Sequence, residues 1–211
     1  MHQAASSLTL VDLLVRLRQG YGGQGLRWGI RAGAVLFILA LTAAAAQVSV
    51  PLPFTQVPFT FQPMVVLLGG LVLGSRLGLA AQIAYLAAGI VGLPVFAASA
   101  ALPPGAARLL GPTGGYLMAY PLAAYLTGYL AERGFDRRYV TSVLAMGAGL
   151  VVIYLSGASW LSLFIGGRPA LMTGVAPFVA ADAVKLLLAA GVVPSLWALV
   201  GGTNRTSEPH R

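Results

Sequence analysis

Two residues of opposite charge stand three positions apart in the apolar run APFVAADAVKLLLAAGVVPSLWALV: Asp182 and Lys185. On a helix that spacing separates them by about 60° in projection and about 4.5 Å along the axis, so they share one face. The run is long enough to cross a bilayer, where each ionised side chain costs roughly 2.5 to 3.5 kcal/mol on insertion scales. Two compensations are open. The pair can neutralise itself and lock helix packing, or it can form the polar floor of a ligand pocket, since intramembrane ionisable groups mark substrate and ion paths.

Arg108 and Arg168 lie in long Gly/Pro-rich loops above the same end of that segment. A planar guanidinium suits a carboxylate, although either arginine can equally be a solvated loop charge. Catalytic chemistry finds no support. His2 and His210 sit in the tails, so neither a Ser/His pair nor a histidine metal site can assemble inside a membrane, and there is no cysteine. Asp182 is the sole acid in any candidate span, which excludes a two-aspartate hydrolase. The stretch GASW lacks the rest of a nucleophile elbow, and no phosphate-cradling G-x-x-x-x-G-K-[ST] occurs. The chain therefore reads as a non-enzyme without cofactors. If it transports, the energy comes from elsewhere.

The elements that must position these residues are membrane helices. With 211 residues, 58% hydrophobic and 9% charged, the chain lacks the polar surface that a soluble domain needs, and its mean hydropathy is +0.84. The expected architecture is an all-α integral membrane protein of six transmembrane helices. They run over about 28–50, 62–73, 77–91, 116–131, 139–155 and 175–200, with 156–174 read as a loop. The two segments around GSRLG are shorter than a simple span, and irregular backbone beside them is tolerated at membrane depth only where it is buried in protein or lines a cavity. A domain of 28–200 is thus flanked by an N-terminal extension, 1–27, and a tail, 201–211. The extension holds a short amphipathic stretch, Leu8 to Leu17, in an otherwise weakly ordered segment, and it does not read as a signal peptide.

The net charge of +8 tests this arrangement. Six spans put both termini on one side, which collects Arg16, Arg18, Arg27, Arg31, Arg76, Arg133, Arg137, Arg138, Arg205 and Arg211; only Arg108 and Arg168 fall opposite. Cytoplasmic loops carry the excess of Lys and Arg, so the termini are expected in the cytoplasm. The arginines form no stripe interleaved with aromatics, which argues against nucleic acid as a partner. In the first span, Ala40 and Ala44 make a small-x-x-x-small pair that permits close helix approach.

The stretches VPFTFQPMVVLLGGLVLGSRLG, YLAAGIVGLPVFA and LLGPTGGYLMAYPLAAYLTGYLAER, with the final D-x-x-K helix, resemble the BioY family. Its members are the biotin-specific substrate-binding S components of energy-coupling factor (ECF) transporters. The likeness runs from about Phe37 to about Leu199. It implies a six-helix bundle in a prokaryotic cytoplasmic (inner) membrane that captures biotin from outside and delivers it inward with a transmembrane coupling subunit carrying two ABC-type ATPases. It also implies that Asp182 and Lys185 belong to the pocket and that Ala40 and Ala44 contact the coupling partner.

On that reading, Asp182 accepts from the ureido NH groups of biotin and Lys185 donates to its carbonyl. Tyr85, Phe96 and Tyr116 cover the thioether ring and the methylenes of the tail, and the carboxylate meets either Arg108 or, alternatively, Lys185. Gly114 and Gly115 bring peptide NH groups near the ligand, while Thr113 caps the following helix. An S component for another small vitamin, or a non-transporting packing or assembly subunit, are the alternatives; the latter would use the charge pair for packing alone.

Overall fold

The computed structural model describes residues 8–18, 23–97 and 104–203. The expected tail lies outside the described residues from 204 onward, as do parts of the N-terminal extension (1–7 and 19–22) and of the Pro/Ala-rich loop (98–103). Ten helices and one two-stranded ribbon make up the described chain.

A short helix α1 (Leu10–Leu17) precedes α2 (Gln24–Gln47), whose Leu/Ala-rich run gives way to an extended segment at Val48. The prolines at 51, 53 and 58 cannot continue a helix, and the chain instead forms strands β1 (Ser49–Val50) and β2 (Phe59–Thr60). These pair antiparallel, Ser49 with Thr60 and Val50 with Phe59. Helix α3 (Gln62–Leu73) takes Pro63 in its first turn, where a missing N–H costs nothing. Gly74 then turns the chain at φ +82°, a conformation that L side chains resist, into α4 (Ser75–Ile90).

After the loop come α5 (Ala107–Leu110), α6 (Gly114–Ala131), α7 (Tyr139–Ile165), α8 (Gly167–Gly174), α9 (Ala176–Ala190) and α10 (Val192–Thr203). Three helical runs are long and apolar enough to cross a membrane: Gln24–Gln47, Tyr139–Ile165 and Gly167–Leu199. Leucines and aromatics such as Leu36, Phe37, Leu122, Leu144, Leu155 and Leu188 are exposed around the bundle. On a soluble protein they would be an aggregation hazard; on lipid-facing helices they are the expected surface.

Helix α7 runs ten residues beyond the expected end at Leu155, and most of the expected loop is helical. Serine and glycine in SGASW look like loop residues, but here they let α6 come close. A β-carbon at Gly157 would collide with the ring of Tyr116, and Ser156 Oγ donates to the Gly115 carbonyl at 2.9 Å.

Helix α6 is the centre of the bundle, packed by α3, α4 and α7. Its inward residues Ala123, Ala124, Thr127 and Ala131 have no exposed surface. Gly128 faces the α3–α4 turn so closely that a β-carbon would run into the backbone of Gly74 and Ser75. One helical turn later, Glu132 Oε1 accepts from the Ser75 amide at 2.7 Å and from its hydroxyl at 2.8 Å, capping α4 from a neighbouring helix. The α6–α7 turn also buries Asp136, whose carboxylate accepts from Trp197 Nε1 at 2.7 Å and lies 3.2 Å from Arg137 Nε. Arg137 stacks on the Trp197 ring at 3.5 Å and donates to the Leu8 carbonyl at 2.8 Å. The N-terminal segment, the α6–α7 turn and α10 are thereby tied together.

Because the obstacle at position 128 is backbone rather than a flexible side chain, Gly128→Ala is expected to cost about 1 to 3 kcal/mol. Thermal unfolding in detergent checks this. An unchanged midpoint would show that the α3–α4 turn can yield.

Candidate ligand-binding site

Helix α9 presents Asp182 and Lys185 to the bundle interior, where both are buried, 7% and 8% exposed. The two side chains form an ion pair. Tyr154 of α7 donates its hydroxyl to Asp182 Oδ2 at 2.6 Å, and Lys185 Nζ donates to the Thr60 carbonyl of β2 at 2.7 Å. The ammonium also lies 4.0 Å from the Phe59 ring centroid and 5.5 Å from that of Phe61, close enough for cation–π attraction. The carboxylate is thus compensated by its partner and by a hydrogen bond, and the ammonium by its partner, a hydrogen bond and aromatic faces.

Asp182 lines a pocket that opens to the exterior and has a cavity volume of about 60 Å³. Its lining draws Asp182 from α9, Tyr154 from α7, Thr60 from β2, Gln62 from α3, Phe96 from the loop after α4 and Arg108 from α5; Thr113, Tyr116 and Tyr120 come from the start of α6. Ile153 and Phe178 supply apolar wall. A mostly apolar cleft with a few convergent polar groups is the usual form of a small-molecule site.

The residues singled out from the sequence divide into those on the pocket wall and those behind it. Asp182, Arg108, Phe96, Thr113 and Tyr116 line the cavity. Lys185 does not: the β2 backbone at Thr60 and the Phe59 ring engage its ammonium. Tyr85 is fully buried behind the wall, where it accepts from Gln62 Nε2 at 2.5 Å, donates to the Val95 carbonyl at 3.0 Å and meets Phe96 edge-on at 5.5 Å. It positions two lining side chains. Gly114 and Gly115 are packing positions, since β-carbons there would strike the Leu109 carbonyl and the Trp160 side chain respectively. Ala40 and Ala44 are exposed on α2, away from the pocket.

Two details bear on what the cavity can hold. Arg108 is 5% exposed and donates to the Ala97 carbonyl at 2.7 Å; burial lowers its guanidinium from the ordinary value, yet an arginine remains a cation. Thr113 occupies the position before α6 but its hydroxyl makes no capping bond. Its Oγ1 is buried, faces the pocket wall and has no hydrogen-bond partner among the described residues. A native buried hydroxyl left unpaired costs about 1 to 3 kcal/mol, which a ligand atom can recover.

Sequence reasoning missed Tyr154, Tyr120, Thr60 and Gln62. Tyr154 carried a signal: it lies at the end of a span judged to stop at Leu155, and a tyrosine in a span needs a partner for its hydroxyl. Thr60 acts through its backbone carbonyl, which no residue type announces. Among the described residues no cluster of His, Cys, Asp or Glu could hold a metal ion.

Comparison with known proteins places this geometry. The family model described as the BioY family matches residues 28–202. Among similar proteins are the probable biotin transporter BioY of Pyrococcus horikoshii, 44% identical over 151 residues (72% of this chain and 86% of that protein), and the biotin transporter BioY of Thermotoga maritima, 40% identical over 163 residues (76% and 90%). A crystal structure of the S-component for biotin from an ECF-type ABC transporter superposes with a TM-score of 0.75 at 25% identity, covering 84% of this chain and 95% of that one. From the match across most of its length, and from relatives well above a third identical, the chain belongs to the BioY family.

Proposed function

We propose that this protein is the biotin-binding S component of an ECF transporter, taking the vitamin from the outer side of a prokaryotic cytoplasmic membrane and delivering it inward. The observation that carries the reading is the pocket itself. Its lining includes a buried hydrogen-bond acceptor, Asp182, and a buried cation, Arg108, together with the aromatic and aliphatic side chains of Phe96, Tyr116, Ile153 and Phe178. Biotin has the matching distribution: a ureido ring with two N–H donors, an apolar thioether ring and a carboxylate tail.

In this reading Asp182 accepts from the ureido N–H, and Tyr154 shares that carboxylate and orients it. Lys185 acts from behind the wall. It holds the Asp182 charge in place and pins β2, so its effect on the ligand is indirect. Phe96 and Tyr116 flank the apolar ring, Arg108 receives the carboxylate, and the Thr113 hydroxyl gains its missing partner from the ligand.

The same reading gives six spans: α2, α3, α4, α6, α7 and the α9–α10 run, as one domain over 28–200. Helices α3 and α4 reach only about 18 and 24 Å, and the pocket lined by Gln62 and Pro63 lies at the N-terminal end of α3. Arg16, Arg18, Arg27, Arg31, Arg76, Arg133, Arg137 and Arg138 belong to the end opposite the pocket, which supports cytoplasmic termini. Exposed Ala40 and Ala44 leave α2 open to the transmembrane coupling subunit and its ATPase pair.

Calorimetric titration of pre-dialysed protein in detergent with biotin tests the assignment. One site is expected, with affinity falling about ten- to hundredfold in Asp182→Asn, the cost of weakening a charge-assisted bond in a dry pocket. Absence of heat from folded protein would sink the biotin reading and return the pair to a packing role.

The ion pair has a separate signature in stability. Removing either member leaves its partner's charge buried and is expected to cost about 3 to 5 kcal/mol, whereas the double variant Asp182→Asn/Lys185→Met recovers most of that loss. Thermal unfolding without ligand reads the difference. Additive losses would mean that the two charges are compensated independently.

A further inference from the structure

The end of the bundle opposite the pocket carries a helix whose apolar sector is wider than the surface it packs on. Helix α1 buries Leu10, Val11 and Val15 against the body, with Val11 packed beside Ile38, Leu73 and Ala81. Its position is fixed by Asp12, which pairs with Arg31 at 3.1 Å, by the Thr9 cap, and by the Arg137 bond to Leu8. Yet Leu14, one turn beyond buried Leu10 on the same face, is 54% exposed. Arg16 and Arg18 at the end of the helix are exposed too.

The charge around it is one-sided. Among the described residues, the acids at this end are already engaged: Asp12 with Arg31, Glu132 with Ser75, and Asp136 with Trp197 and Arg137. The exposed charged residues are cations, Arg16, Arg18, Arg27, Arg76, Arg133 and Arg138. Trp28 and Tyr139, amphipathic rings of the kind found where membranes meet water, are 63% and 45% exposed nearby in the chain.

We propose that α1 is an interfacial helix that binds anionic phospholipid headgroups through Arg16 and Arg18, with Leu14 inserted at the headgroup–acyl boundary. An exposed leucine followed by arginines on a helix fixed to a membrane bundle fits an amphiphile that is anionic at its head and apolar below it. The inference rests on the membrane orientation proposed above and not on the identity of the pocket's ligand. Its consequence is that lipid charge sets how firmly α1 is held on the bundle.

The experiment is hydrogen exchange of the full-length protein in nanodiscs of phosphatidylcholine alone and of phosphatidylcholine with an equal part of phosphatidylglycerol. Protection of the α1 amides is expected to rise with the anionic lipid, to fall in high salt, and to drop about fivefold for each arginine replaced in Arg16→Gln and Arg18→Gln. Leu14→Ser is expected to lower protection in both lipids. Biotin titration of the same variants should be unchanged, which separates this proposal from the binding assignment. Protection indifferent to lipid charge would overturn it. So would protection that rises only when the coupling subunit and ATPases are added, which would give the face to a protein.

Discussion

A buried charge in an apolar medium must be matched at once by everything around it, and the Asp182–Lys185 pair on α9 imposes that demand on α7 and on the β-ribbon. The carboxylate draws Tyr154 from α7; the ammonium draws the Thr60 carbonyl from β2 and the Phe59 ring beside it. Helix α9, helix α7 and the ribbon are consequently held in one register by groups that cannot move apart without exposing a charge to hydrocarbon. The demand falls unequally on the two partners. Lys185 is engaged on several sides behind the wall, whereas Asp182 still faces the cavity. A pocket acquires an acceptor with a defined direction because the cation behind it is fixed.

Small residues let this arrangement close. Helix α6 reaches α3 and α4 over alanines and Gly128, and α7 over Gly115 and Gly157. Without an aqueous driving force between helices in lipid, such close approach is where packing energy is gained. In the GPTGGY block, Gly114 and Gly115 seat α6 against Leu109 and Trp160, while Thr113 and Tyr116 on either side line the cavity. The glycines set the depth from which their neighbours act.

Much of this was legible in the sequence where a pattern had a single physical reading. Hydropathy marked the long apolar runs, three prolines marked the extended segment after α2, and the i, i+3 spacing of Asp182 and Lys185 put them on one face. The pairing of either charge with Tyr154 or Thr60 was not legible. Those partners lie 28 and 125 residues away, and one of them is a backbone carbonyl that every residue type carries. The end of α7 was misread for a related reason. Serine and glycine signal a loop only when the chain there faces water; against Tyr116 and Gly115 the same residues extend a helix, because their small size is what α6 requires. Composition reports local preference, and tertiary packing overrules it at such crossings.

The unpartnered Thr113 hydroxyl bears on how the empty protein differs from a merely well-packed bundle. Other polar groups of the pocket wall bond to the protein: Tyr116 donates to the Gly174 carbonyl at 2.9 Å, Gln62 bonds Tyr85, and Arg108 donates to Ala97. A bundle built only for packing would satisfy Thr113 through the N-cap geometry its position offers, since a threonine before a helix ordinarily caps it. Here the backbone at Thr113 takes φ −90° and ψ −1°, outside the extended cap conformation, its hydroxyl makes no cap bond, and the residue lines the cavity. The energy forgone at the cap is available to a ligand that reaches Oγ1. An apolar guest would leave that hydroxyl stranded, and an amphiphile with its polar atom at that height would not. On the proposed reading, Thr113 therefore favours a ligand that brings a polar atom to its hydroxyl.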